Sequence, residues 1–224
     1  MANRPIFLPT DNKDEPVSLK KVDFTWHAGL AKSQKQKSIK SLHDRAKNIL
    51  NLKNILEIST KSLQDIGTQA SAFNLKLSWE SKHSSVESFY QGSKVFKNGG
   101  PYLDIYETDS IKAKKDDRIK NSGQLLGFSF FGEEWTLEQD FYSWIYLIAL
   151  NQNIKISDEL LKFDAFTDIE FNMEKSFNCQ AYSAALYVSL IKYKKLDLTQ
   201  IQLPLEFKKN TPKKFAKNIQ NELF

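Results

Sequence analysis

The stretch TLEQDFYSWIYLIALNQN, residues 136–153, decides the fold class because its centre is apolar on nearly every side. A helix that is apolar all round must be buried in the protein core. Thr136 and Gln139 have capping-box spacing and predict the start of this helix. A second stretch, KSFNCQAYSAALYVSLIKY at 175–193, predicts another core helix, in which small residues permit close packing.

Shorter elements surround these two helices. Their predicted bounds are helices at 33–49, 84–96 and 110–123, strands at 55–60, 72–79 and 124–132, and a strand or extended loop at 165–172. Ser33 and Gln36 are predicted to cap the first helix, and Ile39, Leu42, Ala46 and Ile49 to form its apolar face. The Gly-Gly-Pro run at 99–101 predicts a helix stop before it.

The fold class that follows is α+β, predominantly helical, with one domain and a few short strands. Residues 1–23 are polar and contain proline, which predicts an irregular structure within an N-terminal arm at 1–30. The catalytic domain is expected at 31–195. A basic C-terminal extension at 196–224 either packs on this domain or trails from it.

Composition favours an intracellular, cytoplasmic protein. The chain has 224 residues, of which 41% are hydrophobic and 26% charged. No apolar run reaches the length of a membrane span, and the start lacks the apolar segment of a secretory signal. The single cysteine, Cys179, excludes an internal disulfide framework and a cysteine-based zinc site. The net charge of +5 permits a polyanionic substrate such as nucleic acid, or it reflects a lysine-rich solvated surface.

Several common chemistries are excluded by missing motifs. The sequence has neither a dinucleotide-binding Gly-x-Gly-x-x-Gly nor a P-loop, and no Gly-x-Ser-x-Gly elbow of a serine hydrolase. His27, His43 and His83 fit no metal-ligand spacing, so no metal is expected. Carboxylates, amides and aromatic residues must then carry any enzymatic chemistry.

Glu87 has two interpretations. Ser84 and Glu87 match the Ser-x-x-Glu capping box, which would explain the glutamate as a helix cap. Glu87, Gln91 and Lys94 also form one polar row at i, i+4 and i+7, and an enclosed glutamate suits a general acid or base. Spacing alone leaves both interpretations open.

Two other polar groups stand out. The stretch FTDIEFNMEKSFNCQ, 166–180, concentrates acids and amides around Asp168 and Asn178, as capping chemistry or as a polar pocket. Asn74 lies among apolar neighbours in SAFNL, 71–75, and would need partners if it were buried.

These stretches together resemble the NADAR superfamily, also called YbiA-like, whose members act on NAD- and ADP-ribose-derived compounds. The family shows a Ser-Asn-Phe-like element, a helix of the form Ser-x-Glu-x-x-x-Gln-x-x-Lys, and an acidic residue ahead of an Asn-bearing last helix. SAFNL, SSVESFYQGSKVF and Asp168 followed by NCQA match this order, over about residues 55–192.

The longer stretches at 86–106 and 166–181 resemble the branch encoded beside DarT-type ADP-ribosyltransferase toxins. That resemblance implies an antitoxin, of use in phage defence, that removes ADP-ribose from guanine bases of DNA without a cofactor. The riboflavin-pathway branch carries a Trp-Gly-rich segment where this chain reads IEFNMEKSF, which argues against a riboflavin intermediate as substrate.

The resemblance also implies roles for particular residues. Glu87 matches the catalytic glutamate, for which we expect water activation, and Asp168 the acid near the ribose. The implied substrate-binding residues are Asn74, Tyr90, Gln91, Lys94, Arg118, Trp135 and Asn178. Lys114 and Lys115 join Lys94 and Arg118 as candidates for the diphosphate, and Tyr90 and Phe89 could stack a base or pack in the core. ADP-ribose would be the product.

Two alternatives remain open at this stage. One is an N-glycosidase acting on a small phosphorylated riboside, whose binding would depend little on salt. The other is a non-catalytic antitoxin that neutralises the toxin by forming a complex with it.

Overall fold

The computed structural model describes residues 1–172 and 179–194, with residues 204 and 207. In chain order the elements are β1 Ala2–Pro9, β2 Val17–Phe24, α1 Lys32–Leu50, β3 Ile55–Glu57, α2 Asp65–Gln69, β4 Lys76–Trp79, β5 Lys82–Ser85, α3 Val86–Gly92, β6 Lys94–Phe96, a 3-10 helix Leu103–Glu107, α4 Ser110–Lys115, α5 Asp117–Asn121, β7 Leu125–Phe130, β8 Glu133–Thr136, α6 Phe141–Gln152, α7 Ile154–Leu160, β9 Ala165–Thr167 and α8 Gln180–Lys194. The predicted α+β class, with more helix than strand, is confirmed.

The described chain forms two compact units. Unit 1 contains residues 1–71, 154–172 and 179–194, and unit 2 contains residues 72–153, 204 and 207.

Unit 1 is built on a four-stranded sheet with the order β2-β1-β9-β3, in which only β3 and β9 run parallel. Side chains alternate across β1, so Ile6 and Phe7 point to opposite faces. Ile6 packs in a cluster with Ile39 and Leu42 of α1. Phe7 meets Tyr182 of α8 edge to face. One helix therefore covers each face of the sheet.

The predicted irregular structure at residues 1–23 is wrong, because β1 and β2 form an antiparallel hairpin there. Pro5 and Pro9 suggested a loop, since proline cannot donate to a strand ladder. The structure tolerates them in β1, which pairs with β9 through only Phe7 and Phe166. The alternation of buried Val22 and Phe24 with polar residues was the strand signal that the prediction missed.

Helix α1 lies within one residue of its predicted bounds, but its predicted cap and one residue of its predicted apolar face are wrong. It begins at Lys32 after Ala31, which makes no side-chain cap, so the predicted Ser33–Gln36 cap is wrong. Ile39, Leu42 and Ala46 are buried as predicted, whereas Ile49 is exposed.

Unit 2 has a two-stranded sheet, β4-β5, and a three-stranded sheet, β6-β7-β8, around the buried helix α6. Every residue of α6 from Phe141 to Leu150 is buried, as its apolar sequence predicted. The helix begins one turn later than expected, because the Asp140 side chain accepts from the Ser143 N–H and forms the N-cap. Gln139 accepts from the Thr136 N–H ahead of the helix.

Two predicted helices of unit 2 are shorter than expected. The helix predicted at 84–96 ends at Gly92, and the chain continues into β6, which pairs with β7. The segment at 110–123 forms two helices, α4 and α5, separated at Asp116. A short helix followed by a strand places Lys94 at the start of β6 instead of on a third helical turn.

Candidate functional site

The start of α3 settles one interpretation of Glu87. Ser85 is the N-cap, and its hydroxyl accepts from the Ser88 N–H at 3.0 Å. The Ser84–Glu87 capping box is therefore wrong, because strand pairing of Ser85 with Lys76 extends β5 by one residue and moves the helix start. Glu87 is the second residue of α3, and its side chain does not cap the helix.

Glu87, Gln91 and Lys94 form a connected polar row. The Gln91 amide nitrogen donates to Glu87 Oε1 at 2.9 Å, and Lys94 Nζ donates to Gln91 Oε1 at 2.7 Å. Glu87 and Gln91 are buried, and Lys94 is half-buried. One amide thus links a carboxylate to an ammonium group, and this sets the orientation of the amide.

The two ends of this row have different surroundings. No residue in the described part of the chain donates to the second carboxylate oxygen of Glu87, Oε2. Burial lowers the pKa of Lys94 to about 8, although the charge of Glu87 raises it. Nearby Lys114 lowers the Lys94 pKa further through like-charge repulsion. The row therefore offers one carboxylate oxygen without a donor from the described chain and two neighbouring cations.

Tyr90 lies on the same helix, but its ring faces an aromatic cluster. It stacks on Phe141, meets Tyr142 edge to face, and carries Lys94 Nζ 4.8 Å from its ring centroid. Tyr90 and Phe89 are both buried. Base stacking and core packing were both predicted for these two rings, and in the structure both rings pack in the core. The cation over Tyr90 helps to hold Lys94 in place.

Arg118 lies on α5 and is already paired. Its guanidinium donates to Asp104 at 2.6 Å and to Asp116 at 2.8 Å, and it lies 4.6 Å from the Tyr102 ring centroid. A phosphate would have to replace one of these carboxylates to bind Arg118. Lys115 is exposed on α4, and Lys114 is exposed with its Nζ over the Phe73 ring.

The other two candidates of unit 2 lie in different settings. Trp135 is buried against Phe141 and Trp144, where it packs in the aromatic core. Asn74 is exposed in the turn before β4. Their predicted substrate contacts stay predictions.

Asp168 follows β9 in unit 1 and is held by two donors. The Gln180 amide nitrogen donates to Asp168 Oδ2 at 2.9 Å, and the Glu170 N–H donates to Oδ1 at 3.0 Å. Burial raises the pKa of Asp168 to about 7, and the charge of Glu57 raises it as well. A carboxyl with this pKa exchanges protons near neutral pH.

Glu57 is the residue of unit 1 that the sequence analysis missed. It is the last residue of β3 and is buried, and Ser59 Oγ, Thr167 Oγ1 and the Ile169 N–H donate to its carboxylate at 2.7, 2.6 and 2.8 Å. Burial raises the pKa of Glu57, and these three hydrogen bonds oppose that rise. The available signal was an acidic residue inside the apolar run Ile-Leu-Glu-Ile, because buried acids need dedicated partners.

His43 joins the same network from α1. Its Nε2 lies 2.8 Å from Thr167 Oγ1, and the Thr167 hydroxyl donates to Glu57. A hydroxyl has one proton, so His43 Nε2 donates to Thr167 and carries the ring proton. Burial lowers the pKa of His43 to about 4, which keeps the imidazole neutral.

The structure thus groups four of the predicted residues, Glu87, Tyr90, Gln91 and Lys94, within unit 2. Asp168 lies with Glu57 in unit 1. Asn178 lies outside the described residues.

The described residues contain no group of three or more His, Cys, Asp or Glu side chains arranged to hold a metal ion. In the same part of the chain, no helix combines the length and the apolar character of a membrane span.

Comparison with known proteins gives one family. No curated protein matches the chain. Residues 2–220 match the family described as DarT1-associated NADAR antitoxin, which includes both the β1–β2 hairpin and most of the basic C-terminal segment. Because this match covers nearly the whole sequence, the chain belongs to the DarT1-associated NADAR antitoxin family.

Proposed function

We propose that this protein hydrolyses the N-glycosidic bond between ADP-ribose and guanine bases of DNA, and so acts as the antitoxin to a DarT1-type toxin. The observation that carries this proposal is the Glu87–Gln91–Lys94 row, in which a buried carboxylate is held by an amide next to a cation. Membership of an antitoxin family supports the biological role.

Glu87 suits the bond-breaking step. When the bond between ribose C1″ and the guanine nitrogen breaks, positive charge develops on the sugar ring. A carboxylate beside the ring stabilises that charge and accepts a proton from the attacking water. The water oxygen bonds to C1″ as the bond from C1″ to the guanine nitrogen breaks. The guanine nitrogen takes up a proton from solvent, and Glu87 returns its proton to solvent, which restores the carboxylate. Oε1 of Glu87 is oriented by Gln91, which leaves Oε2 for the water.

Lys94 and Lys114 suit the diphosphate of ADP-ribose. With a pKa of about 8, Lys94 is mainly charged at pH 7. Its repulsion by Lys114 is relieved when an anion binds between them, so phosphate binding stabilises both charges. Arg118 and Lys115 are less suitable, since Arg118 is bound by two carboxylates and Lys115 is exposed.

Asp168 is proposed to bind ribose hydroxyls. A carboxyl with a pKa of about 7 is present at neutral pH both as an acceptor and as a donor, and sugar hydroxyls require both.

The test uses a single-stranded oligonucleotide with ADP-ribose on guanine, incubated with the purified full chain. We expect the wild type to release ADP-ribose, seen as a shift of the oligonucleotide on a gel. Glu87→Gln should lose at least about a hundredfold in rate, because an amide cannot accept the proton. Glu107→Gln is the matched control, since Glu107 is exposed and pairs with Lys82 at the surface.

Other outcomes lead to the alternative functions. Full activity of a folded Glu87→Gln would contradict the assignment of Glu87. Release from a small phosphorylated riboside but not from the oligonucleotide would indicate the small-molecule N-glycosidase. A stable complex with the toxin that neutralises it equally well with Glu87→Gln would indicate a non-catalytic antitoxin.

A further inference from the structure

We propose that Glu57 is a positioning residue for Asp168: its buried carboxylate binds the residues on both sides of Asp168 and so fixes where the Asp168 carboxyl points. The functional meaning of this assignment rests on the proposed role of Asp168 in binding ribose. The geometry itself does not depend on that role.

The backbone places Glu57 beside this segment. Strand β3 pairs in parallel with β9, and Glu57 lies in register with Thr167, the residue before Asp168. The Ile58 N–H also donates to the Thr167 carbonyl at 2.8 Å. Strand pairing therefore ends next to Asp168, where the chain leaves the sheet.

The Glu57 side chain makes further contacts with this segment, past the end of β9. Oε2 accepts from the Thr167 hydroxyl, and Oε1 accepts from the Ile169 N–H. The two acceptor oxygens of one rigid carboxylate thus bind the residues immediately before and after Asp168. Such a two-point contact restricts the rotation of the intervening backbone.

The hydrogen bonds to Glu57 favour the charged form of its carboxyl group. Three donors surround its carboxylate, and a carboxylate that accepts several hydrogen bonds is stabilised in its charged form. Asp168 has two donors, and one of them is the flexible side chain of Gln180. We infer that Glu57 holds the charge of this acidic pair more readily than Asp168 does.

Other charged or titratable groups near Asp168 have weaker or different effects. Glu170 adds to the rise of the Asp168 pKa, but its side chain is partly exposed and pairs with Lys35 at 3.1 Å. His43 reaches Thr167 and is neutral at pH 7, and Cys179 is buried with its pKa raised, so its thiol is uncharged. Glu57 is the neighbour whose charge weighs most on Asp168.

The main test measures Asp168 directly and needs no substrate. The carboxyl carbon of Asp168 is followed by ¹³C NMR against pH, and its signal is identified by its loss in Asp168→Asn. We expect Asp168 to titrate near pH 7 in the wild type. In Glu57→Gln it should titrate lower by about one pH unit or more, because the adjacent charge is gone. Glu170→Gln is the matched control and should move the titration less.

Activity is measured separately on the ADP-ribosylated oligonucleotide. The limb of the pH–rate profile that follows Asp168 should move to lower pH in Glu57→Gln by the same amount as the NMR titration. If Glu57→Gln shifts the Asp168 titration and loss of the Thr167 hydroxyl shifts the Asp168 carboxyl signal, but no protein hydrolyses the substrate, the positioning by Glu57 stands and the proposed function fails. A folded Glu57→Gln in which Asp168 titrates as in the wild type overturns the proposal.

A second pair of variants tests the contacts of Glu57 separately from its charge, and it also serves if Glu57→Gln does not fold. Thr167→Val removes one of the two contacts without changing the charge of Glu57, and Thr167→Ser keeps the hydroxyl. We expect the Asp168 carboxyl signal to shift in Thr167→Val and to match the wild type in Thr167→Ser. The same signal in all three proteins would contradict the positioning role.

Discussion

Lys94 gives the most direct test of the Glu87–Gln91–Lys94 row, because two neighbouring charges act on its pKa in opposite directions. Burial lowers the pKa to about 8, the charge of Glu87 raises it, and the charge of Lys114 lowers it. Glu87→Gln removes the attraction, so the pKa of Lys94 should fall below 8. Lys114→Met removes the repulsion, so it should rise.

The size of these shifts follows from the placement of the charges. Glu87 is buried and linked to Lys94 through one amide, and a charge at such a distance shifts a pKa by about one unit or more. Lys114 is exposed, and solvent screening reduces its effect to about half a unit or less. At pH 7 about nine tenths of Lys94 is charged in the wild type, and about half would be charged in Glu87→Gln.

The assay is an NMR titration of protein labelled with ¹³C-lysine, read at the Cε atoms. The Lys94 signal is identified by its absence from Lys94→Met. Glu107→Gln is the control, because it removes an exposed glutamate of the same unit that pairs with Lys82, and it should leave the Lys94 titration unchanged. An unchanged titration in Glu87→Gln, or shifts of the same sign in both charge variants, would refute the reasoning.

Three further predictions concern stability, each measured by urea unfolding. Lys94 has a folded pKa of about 8 against 10.5 in its ordinary state, so the unfolded chain binds more protons between these values. The stability of the wild type relative to Lys94→Met should therefore rise by about 3 kcal/mol from pH 8 to 10.5. His43 has a folded pKa of about 4 against 6.5, so acidification across this range should cost about 3 kcal/mol that His43→Gln does not lose. Gly67→Ala should cost about 3 kcal/mol, because the new methyl group would overlap the backbone carbonyl of Glu57 and the Ser62 side chain, and a backbone atom cannot move aside easily. Stability equal to that of the wild type would show that helix α2 can shift around residue 67.

The core helices were predictable because their own sequences indicate that they are buried. Helix α6 is apolar on all sides, and α8 carries alanines where it packs, so no knowledge of distant residues was needed. The α+β class follows from these helices together with alternating short strands. Helix ends were less predictable. Thr136 pairs with Gly127 in the β7–β8 hairpin, so α6 begins after it and Asp140 forms the N-cap.

The hairpin at the N-terminus and the short helix α3 depend on contacts between distant residues. Pro5 suits a strand only because β1 pairs so little with β9. Gly92 ends α3 beside the Tyr106 ring and the Tyr102 carbonyl, where a side chain would not fit. A window of sequence around residue 92 contains no sign of either tyrosine contact, so its helical pattern predicted a longer helix.

The candidate site also contains residues that local sequence predicts and residues that depend on distant contacts. The local row of Glu87 and Gln91 was predictable from spacing along one helix, and it is present. Glu57 was not, because its partners Thr167 and Ile169 are 110 and 112 residues away in the sequence. An isolated acidic residue in an apolar strand is the only trace that such a network leaves in the sequence.

The energetics of Lys94 support the proposed role of the Glu87–Gln91–Lys94 row. Lowering a lysine pKa from 10.5 to about 8 costs about 3 kcal/mol of stability at neutral pH, and whole domains are stable by only about 5–15 kcal/mol. An apolar residue at this position would avoid the cost and could pack against the Tyr90 ring. A direct ion pair with Glu87 would also reduce it, yet Gln91 stands between the two charges. Separated in this way, the carboxylate and the ammonium do not neutralise each other, and each remains available to the substrate that we propose, which carries both a sugar and phosphates.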